Sequence, residues 1–142
     1  MRVRWRPAIA VATVLVLSAV AFVVLNPIGA AAVWLELTGY PTEPPPIAEG
    51  QITKDDWPGG EPANTKLTTL LRKRFPVGSD PSWLRAVMKG QGFSLEHVDL
   101  GMHSSTFAWG NAVCGQWMSV SWTEDDRGRI SDIHGNYSTA CL

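Results

Sequence analysis

The fold class follows from residues 117–134, WMSVSWTEDDRGRISDIH, in the last third of the 142-residue sequence. Three apolar residues, Met118, Val120 and Trp122, alternate with serines, which is the period-two pattern of a strand with one buried face. Acidic residues and a glycine follow at 125–128, and such clusters form turns between strands. A further strand is predicted from this turn to the end of the stretch. The stretch therefore predicts an antiparallel hairpin.

Two more strand patterns precede this hairpin. Residues 93–102 alternate between apolar and polar side chains with a slip in the middle, which predicts a strand with a β-bulge. Phe107 and Trp109 share one face of the next strand. Trp117 has the opposite parity to Trp122, so its side chain is predicted on the other face of the sheet.

A first amphipathic helix is predicted before the strands. It begins near Asn64, which with Thr65 is a candidate N-cap, and it ends before Pro76. Its apolar residues recur at helical spacing and form one stripe. The members of this stripe are Leu67, Leu70, Leu71 and Phe75.

A second helix follows after a short connection. Asp80 is a good N-cap, Pro81 suits the first helical position, and Gly90 suits a left-handed turn at the C-terminal end. Its predicted buried stripe is Trp83, Leu84, Val87 and Met88. Two short helices packed on an antiparallel sheet of about three to four strands constitute an α+β fold.

Residues 39–63 are interpreted as a linker because they contain six of the ten prolines. Such a segment favours extended polyproline geometry and would act as a semi-rigid spacer. The predicted organisation is therefore a basic end and membrane helix over residues 1–38, this linker, and a small domain over residues 64–142. Trp57 within the linker could dock onto that domain.

An uncharged apolar run over residues 8–25 follows Arg2, Arg4 and Arg6. This charge asymmetry predicts a cytoplasmic N-terminus with the rest of the chain in the bacterial periplasm. The length of the run favours a retained single-pass helix in the inner membrane. The alternative is a signal peptide cleaved near Ala32, with the mature chain secreted to the periplasm.

Charge and cysteine content limit the partners and the compartment. Residues 41–142 contain nine basic and twelve acidic side chains, a net charge of −3, which excludes the overall basic footprint of a nucleic-acid binder. Cys114 and Cys141 are the two cysteines of the sequence. In an exported domain an even count predicts a structural disulfide.

No motif for nucleophilic, phosphate-binding or metalloprotease chemistry is found in the sequence. We therefore expect no enzymatic activity, no metal site and no small-molecule cofactor. The alternative is a small periplasmic enzyme or metal-binding protein that uses the strand histidines with Asp99 or Asp132. These histidines are His97, His103 and His134.

Aromatic residues supply the candidates for partner binding. An exposed tryptophan on an open sheet face is a common anchor for a protein partner. Trp117 fits this description best, and Trp109 and Trp57 are further candidates. We expect the partner to be another protein of the cell envelope.

The residues also resemble a known family. Phe75-Pro-Val-Gly-Ser79, the later Trp83-Leu84 and the strands around Val120-Ser-Trp122 are similar in layout to SmpA/OmlA-like (BamE-like) envelope domains, over residues 64–142. The resemblance implies a helical pair packed on a small antiparallel sheet. It also implies a non-enzymatic protein-binding module of the envelope. The chain differs from the assembly lipoprotein of this family because it has no lipid-anchor cysteine and carries an inner-membrane-type helix.

Overall fold

The computed structural model describes residues 6–48, 50, 56 and 60–142, except for the side chains of residues 6–10, 12 and 36. The chain divides into two compact units, one ending at Tyr40 and the other extending from Pro41 to Leu142. The described residues form four α-helices and one four-stranded antiparallel sheet, which confirms the α+β class.

The first unit contains two apolar helices, α1 over Arg6–Leu25 and α2 over Pro27–Thr38. The chain bends by 105° at Asn26, whose Oδ1 accepts a hydrogen bond from Gly29 N–H at 2.9 Å. No single described helix is long and apolar enough to cross a membrane. The stretches Thr13–Leu25 and Pro27–Leu35 meet the length and hydropathy criteria only as a bent pair.

The second unit places two helices before the sheet. These helices are α3 over Glu61–Arg74 and α4 over Pro81–Gly90. The strands pair in chain order, each antiparallel to the next. They are β1 (His97–Asp99), β2 (Met102–Gly110), β3 (Cys114–Glu124) and β4 (Ile130–Cys141).

The sheet has one buried face and one open face, as the alternation predicts. Phe107, Trp109, Met118, Val120 and Trp122 point into the core with α3 and α4. The open face carries mostly small hydroxyl side chains, and we call it the hydroxyl face. Its members include Ser104, Thr106, Trp117, Ser119, Ser121, Thr123 and Ser138.

Helix α3 begins earlier than predicted. Its N-cap is Gly60, which has no capping side chain, and the predicted cap Asn64 lies inside the helix. Asn64 Oδ1 instead accepts a hydrogen bond from Tyr137 N–H at 2.7 Å. The predicted apolar stripe is correct, since Leu67, Leu71 and Phe75 are fully buried and Leu70 packs beside them.

Helix α4 has the predicted N-terminus, since Asp80 Oδ1 accepts a hydrogen bond from Ser82 N–H at 2.8 Å. This hydrogen bond lowers the pKa of Asp80. Gly90 remains helical, and the left-handed residue is Gly92, two positions later. Trp83 is half-exposed and rests on Phe75, so it is not the core residue that the stripe predicted.

The bulge predicted between His97 and Val98 is absent, since both residues pair with β2 without a shift of register, and the chain instead forms a hairpin turn two residues later. Asp99 pairs with Met102, and Leu100 and Gly101 form a two-residue loop between them, both with positive φ. Two consecutive positive φ values match the tight turns that suit the twist of a hairpin. The strand pattern did not reveal this turn because leucine rarely adopts positive φ.

Part of the predicted linker belongs to the folded unit. Pro45, Ile47 and Ala48 are buried, and Ile47 N–H donates a hydrogen bond to Gln91 Oε1 at 2.9 Å. Asp56 is also buried and forms an ion pair with Lys66 at 2.6 Å. Residues 41–48 therefore pack on the domain and do not act as a spacer.

Helix α3 covers the outer edge of β4. Thr68 Oγ1 accepts a hydrogen bond from Gly135 N–H at 3.0 Å, and Asn64 binds the N–H of Tyr137. A Cβ atom at Gly135 would lie 2.4 Å from Leu67 Cγ, so α3 approaches the strand this closely only because residue 135 is glycine.

Candidate functional site

The hydroxyl face carries one large aromatic side chain, Trp117. Its side chain is 38% exposed and stands between Ala108 and Ser138 on the neighbouring strands. The indole ring lies over Gly115, where a Cβ atom would be 3.3 Å from the ring. Because residue 115 has no side chain, the indole ring can lie close to the backbone of the sheet.

The surroundings of Trp117 are polar and closely spaced. Ser138 faces Trp117 across β3 and β4, and the neighbouring Ser119 is hydrogen-bonded to Thr106 across β2 and β3 at 3.1 Å. An apolar anchor surrounded by hydroxyl groups resembles the centre and rim of a protein–protein interface. This arrangement suits binding of a protein surface.

The structure separates the other two tryptophans proposed as anchors. Trp109 is 1% exposed and stacks with Tyr137 in the core, so its side chain is not available to a partner. This corrects its assignment as a surface anchor. Phe107 and Trp109 are two residues apart on β2, so their side chains point to the same face of the sheet. Burial of Phe107 therefore also indicates burial of Trp109. Trp57 lies outside the described residues.

A second polar cluster lies where α4 meets the buried side of the sheet. Arg85 donates hydrogen bonds from Nε and Nη2 to Glu96 at 2.7 and 2.8 Å, and from Nη2 to Glu124 at 2.6 Å. His103 Nδ1–H donates to Glu96, and Trp122 Nε1–H donates to Glu124 at 3.1 Å. The Arg85 guanidinium also lies over the Trp122 ring.

These contacts stabilise the charged forms of the cluster. The Arg85 hydrogen bonds lower the pKa of Glu96 from 4.5 to about 2, against the opposing effect of partial burial. The hydrogen bonds from Arg85 to the two glutamates raise the pKa of the guanidinium. The cluster joins α4 to the chain before β1 and to the end of β3.

One ligand atom from each of Glu96, His103 and Glu124 lies within 4.8 Å of the others. Two carboxylates and an imidazole are suitable ligands for a divalent cation. Arg85 already binds both carboxylates, so a metal ion would have to displace the guanidinium. Sequence reasoning missed this cluster because Arg85 and Glu96 carry no motif that relates them to His103.

The three strand histidines do not converge. His103 lies on the buried side of the sheet, whereas His97 and His134 lie on the hydroxyl face. His97 and His134 occupy the same cross-strand row with two strands between them, which separates their backbones by about 14 Å. His134 Nε2 is instead hydrogen-bonded to Asp132 Oδ2 at 2.8 Å. A site that combines all three histidines therefore lacks its geometry, whereas His134 with Asp132 is one of the pairs that the predicted alternative names.

Cys114 and Cys141 face each other at the ends of β3 and β4. Their sulfur atoms lie at disulfide distance, 2.03 Å. The bond links two neighbouring strands at the end of the sheet where Trp117 lies. Its role as a purely structural bond is a prediction.

No protein-family model, curated protein or solved structure matches the chain. The resemblance to BamE-like domains therefore remains a prediction from the residues.

Proposed function

We propose that this protein is a non-catalytic module that is tethered to the inner membrane and binds another cell-envelope protein in the periplasm. The single observation that carries the binding role is Trp117, an accessible indole on the hydroxyl-rich face of the sheet. Tryptophan is enriched among the residues that dominate binding energy at protein interfaces. The BamE-like layout predicted for residues 64–142 is consistent with this role.

The proposed tether is supported by the side chains of α1. Val14, Leu15, Val16 and Leu17 occupy a full helical turn, and each is more than half exposed. A helix that is apolar on every face is typical of a lipid environment. The positive charges before residue 8 favour a cytoplasmic N-terminus, and cleavage near Ala32 is the alternative outcome.

The proposed compartment is supported by the disulfide-distance pair Cys114–Cys141. Disulfides persist in oxidising spaces such as the bacterial periplasm. A periplasm-active reporter fused after Leu142 should be active, and activity of a cytoplasmic reporter alone would contradict the topology. The mass of the mature chain distinguishes a retained helix from cleavage near Ala32.

The binding role is tested by photocrosslinking in bacterial membranes that contain the full chain. A photoreactive amino acid at Ser138, beside Trp117, should capture one defined envelope protein. Trp117→Ala should lower the yield of this product about thirtyfold, which corresponds to the loss of a hot-spot residue. Trp83→Ala is the matched control, because Trp83 is similarly exposed but lies on α4.

Two results distinguish the proposal from its alternatives. Equal loss with Trp117→Ala and Trp83→Ala would contradict a site on the hydroxyl face. Circular dichroism of both variants establishes that they are folded. A folded His97/His103/His134 triple alanine variant tests the other alternative. If it still forms the crosslinked product but no longer supports the function of the protein in the cell, the histidine-dependent enzyme or metal-binding alternative is favoured.

A further inference from the structure

The outer edge of β1 is the open edge of the sheet, since no described segment pairs with it. Asp99 and Met102 flank the two-residue turn, and in such a hairpin the flanking pair exchanges backbone hydrogen bonds. Hydrogen-bonded and non-hydrogen-bonded pairs alternate along the strand. His97 and Asp99 therefore bond to β2, and Val98 directs its N–H and C=O away from the sheet.

The sequence of β1, His97-Val98-Asp99, is complementary to itself in an antiparallel arrangement. With Val98 opposite Val98 of a second copy, both copies exchange their outward N–H and C=O groups. His97 then faces Asp99 of the second copy, twice by symmetry, on the hydroxyl face. Cross-strand pairs of an imidazole and a carboxylate are favourable.

Neighbouring registers lose this complementarity. If the pairing is centred one residue earlier, His97 lies opposite His97 of the second copy. If it is centred one residue later, Asp99 lies opposite Asp99. The first removes the imidazole–carboxylate pairs, and the second places two carboxylates opposite each other. Charge therefore selects the register that is centred on Val98.

The residues that flank β1 expose apolar surface that the single chain does not use. Leu95 is 94% exposed, Leu100 is 100% exposed and Val98 is 53% exposed. Leu100 also has a φ of +48°, a conformation that glycine or asparagine adopts at a lower cost. In the register centred on Val98, Leu100 lies beside the segment that contains Leu95 of the second copy.

We propose that β1 is the pairing edge of a homodimer, in which two sheets join through Val98 into one eight-stranded sheet. The edge is three residues long, so the interface is small and the association is weak. Anchoring of both copies in one membrane, a point that rests on the proposed tether, would raise their effective concentration. The site is separate from Trp117 and does not depend on the proposed partner.

The test uses the full chain reconstituted in phospholipid vesicles, with its dimer fraction measured by resonance energy transfer between labelled copies. Val98→Pro removes the outward N–H without removing a bond to β2, so the monomer should stay folded. Its dimer dissociation constant should rise about tenfold, because two intermolecular hydrogen bonds are lost. Val77→Pro, at an exposed loop valine, should leave it unchanged.

Charge exchange tests the register independently. Asp99→Lys places a lysine opposite His97 and should weaken the dimer, and the double variant His97→Asp/Asp99→Lys should restore it. Trp117→Ala should leave the dimer unaffected. A wild-type chain that stays monomeric, or a dimer that is indifferent to Val98→Pro and Asp99→Lys, would overturn the proposal and leave the binding role of Trp117 intact.

Discussion

The two edges of the sheet are protected in different ways. The edge strand β4 has twelve residues, and side chains of α3 bind its outward N–H groups at Gly135 and Tyr137. The opposite edge strand β1 has three residues and no described neighbour on its outer side. A long unpaired edge invites aggregation, whereas a short one limits it. Helix α3 therefore covers the longer edge, on which pairing with another chain would be most extensive.

The largest expected effect is that of removing the Cys114–Cys141 bond, which fixes the C-terminal end of the covered edge strand β4. Cys114→Ser or Cys141→Ser should lower the free energy of unfolding by about 3–4 kcal/mol, because the unfolded chain gains the freedom of a loop of about 28 residues. Urea unfolding in oxidising buffer measures the change. Reduced wild type should match the variants. Thiols that titrate in the native, unreduced chain would contradict the prediction.

Gly135→Ala should disrupt the packing of α3 on β4. The added Cβ would lie 2.4 Å from Leu67 Cγ, so the helix must move outward. Overpacking of this kind should cost about 1–3 kcal/mol in the free energy of unfolding. Gly90→Ala is the matched control, because no atom lies within 4 Å of its added Cβ and the helix should gain stability. If the two substitutions changed the free energy of unfolding equally, α3 would be loosely packed on β4 and the prediction would be wrong.

Asn64→Ala tests how much a side-chain contact from α3 to the covered edge contributes to the free energy of unfolding. It leaves the N–H of Tyr137 without its acceptor in a partly buried place. An unsatisfied donor of this kind should cost about 1–2 kcal/mol in the free energy of unfolding. Thr65→Ala, at the adjacent exposed position, should change it little. Faster hydrogen exchange of the Tyr137 amide in Asn64→Ala alone would sharpen the assignment.

The smallest effect should appear on the open-edge side, where Glu96 precedes β1. Its hydrogen bonds to Arg85 lower its pKa to about 2, below the ordinary 4.5. The stability that this depressed pKa contributes is fully present above about pH 4.5 and is lost as the pH falls towards 2. Between pH 5 and 2, Glu96→Gln should therefore show a smaller fall in melting temperature than wild type. Glu61→Gln, at an exposed glutamate, should retain the wild-type slope.

The elements with strong periodicity could be predicted from the sequence. The stripe Leu67, Leu71 and Phe75 and the alternation Met118, Val120 and Trp122 appear as expected, because burial on one side leaves a regular pattern. The cap at Asp80 was predictable from local chemistry alone. The open position of Trp117 followed from parity.

The features that depend on distant contacts could not be predicted. Asn64 is a good local cap, yet it serves a strand 73 residues later in the chain. The prolines before residue 48 suggest a spacer, but burial of Ile47 and Ala48 is a tertiary effect. The Arg85 cluster likewise combines residues from four different segments. In each case packing overrode a local preference.

The chain order of the sheet has a consequence for the folding pathway. Loops of two, three and five residues connect the four strands, so the hairpins can form quickly from contacts that are near in sequence. Contacts between Thr68 and Gly135 span 67 residues and must overcome a much larger loop-closure entropy. We therefore expect α3 to dock after the meander has formed. A helix that precedes every strand in the chain would then be the last element to join them, and mutations at its contacts should accelerate unfolding more than they slow folding.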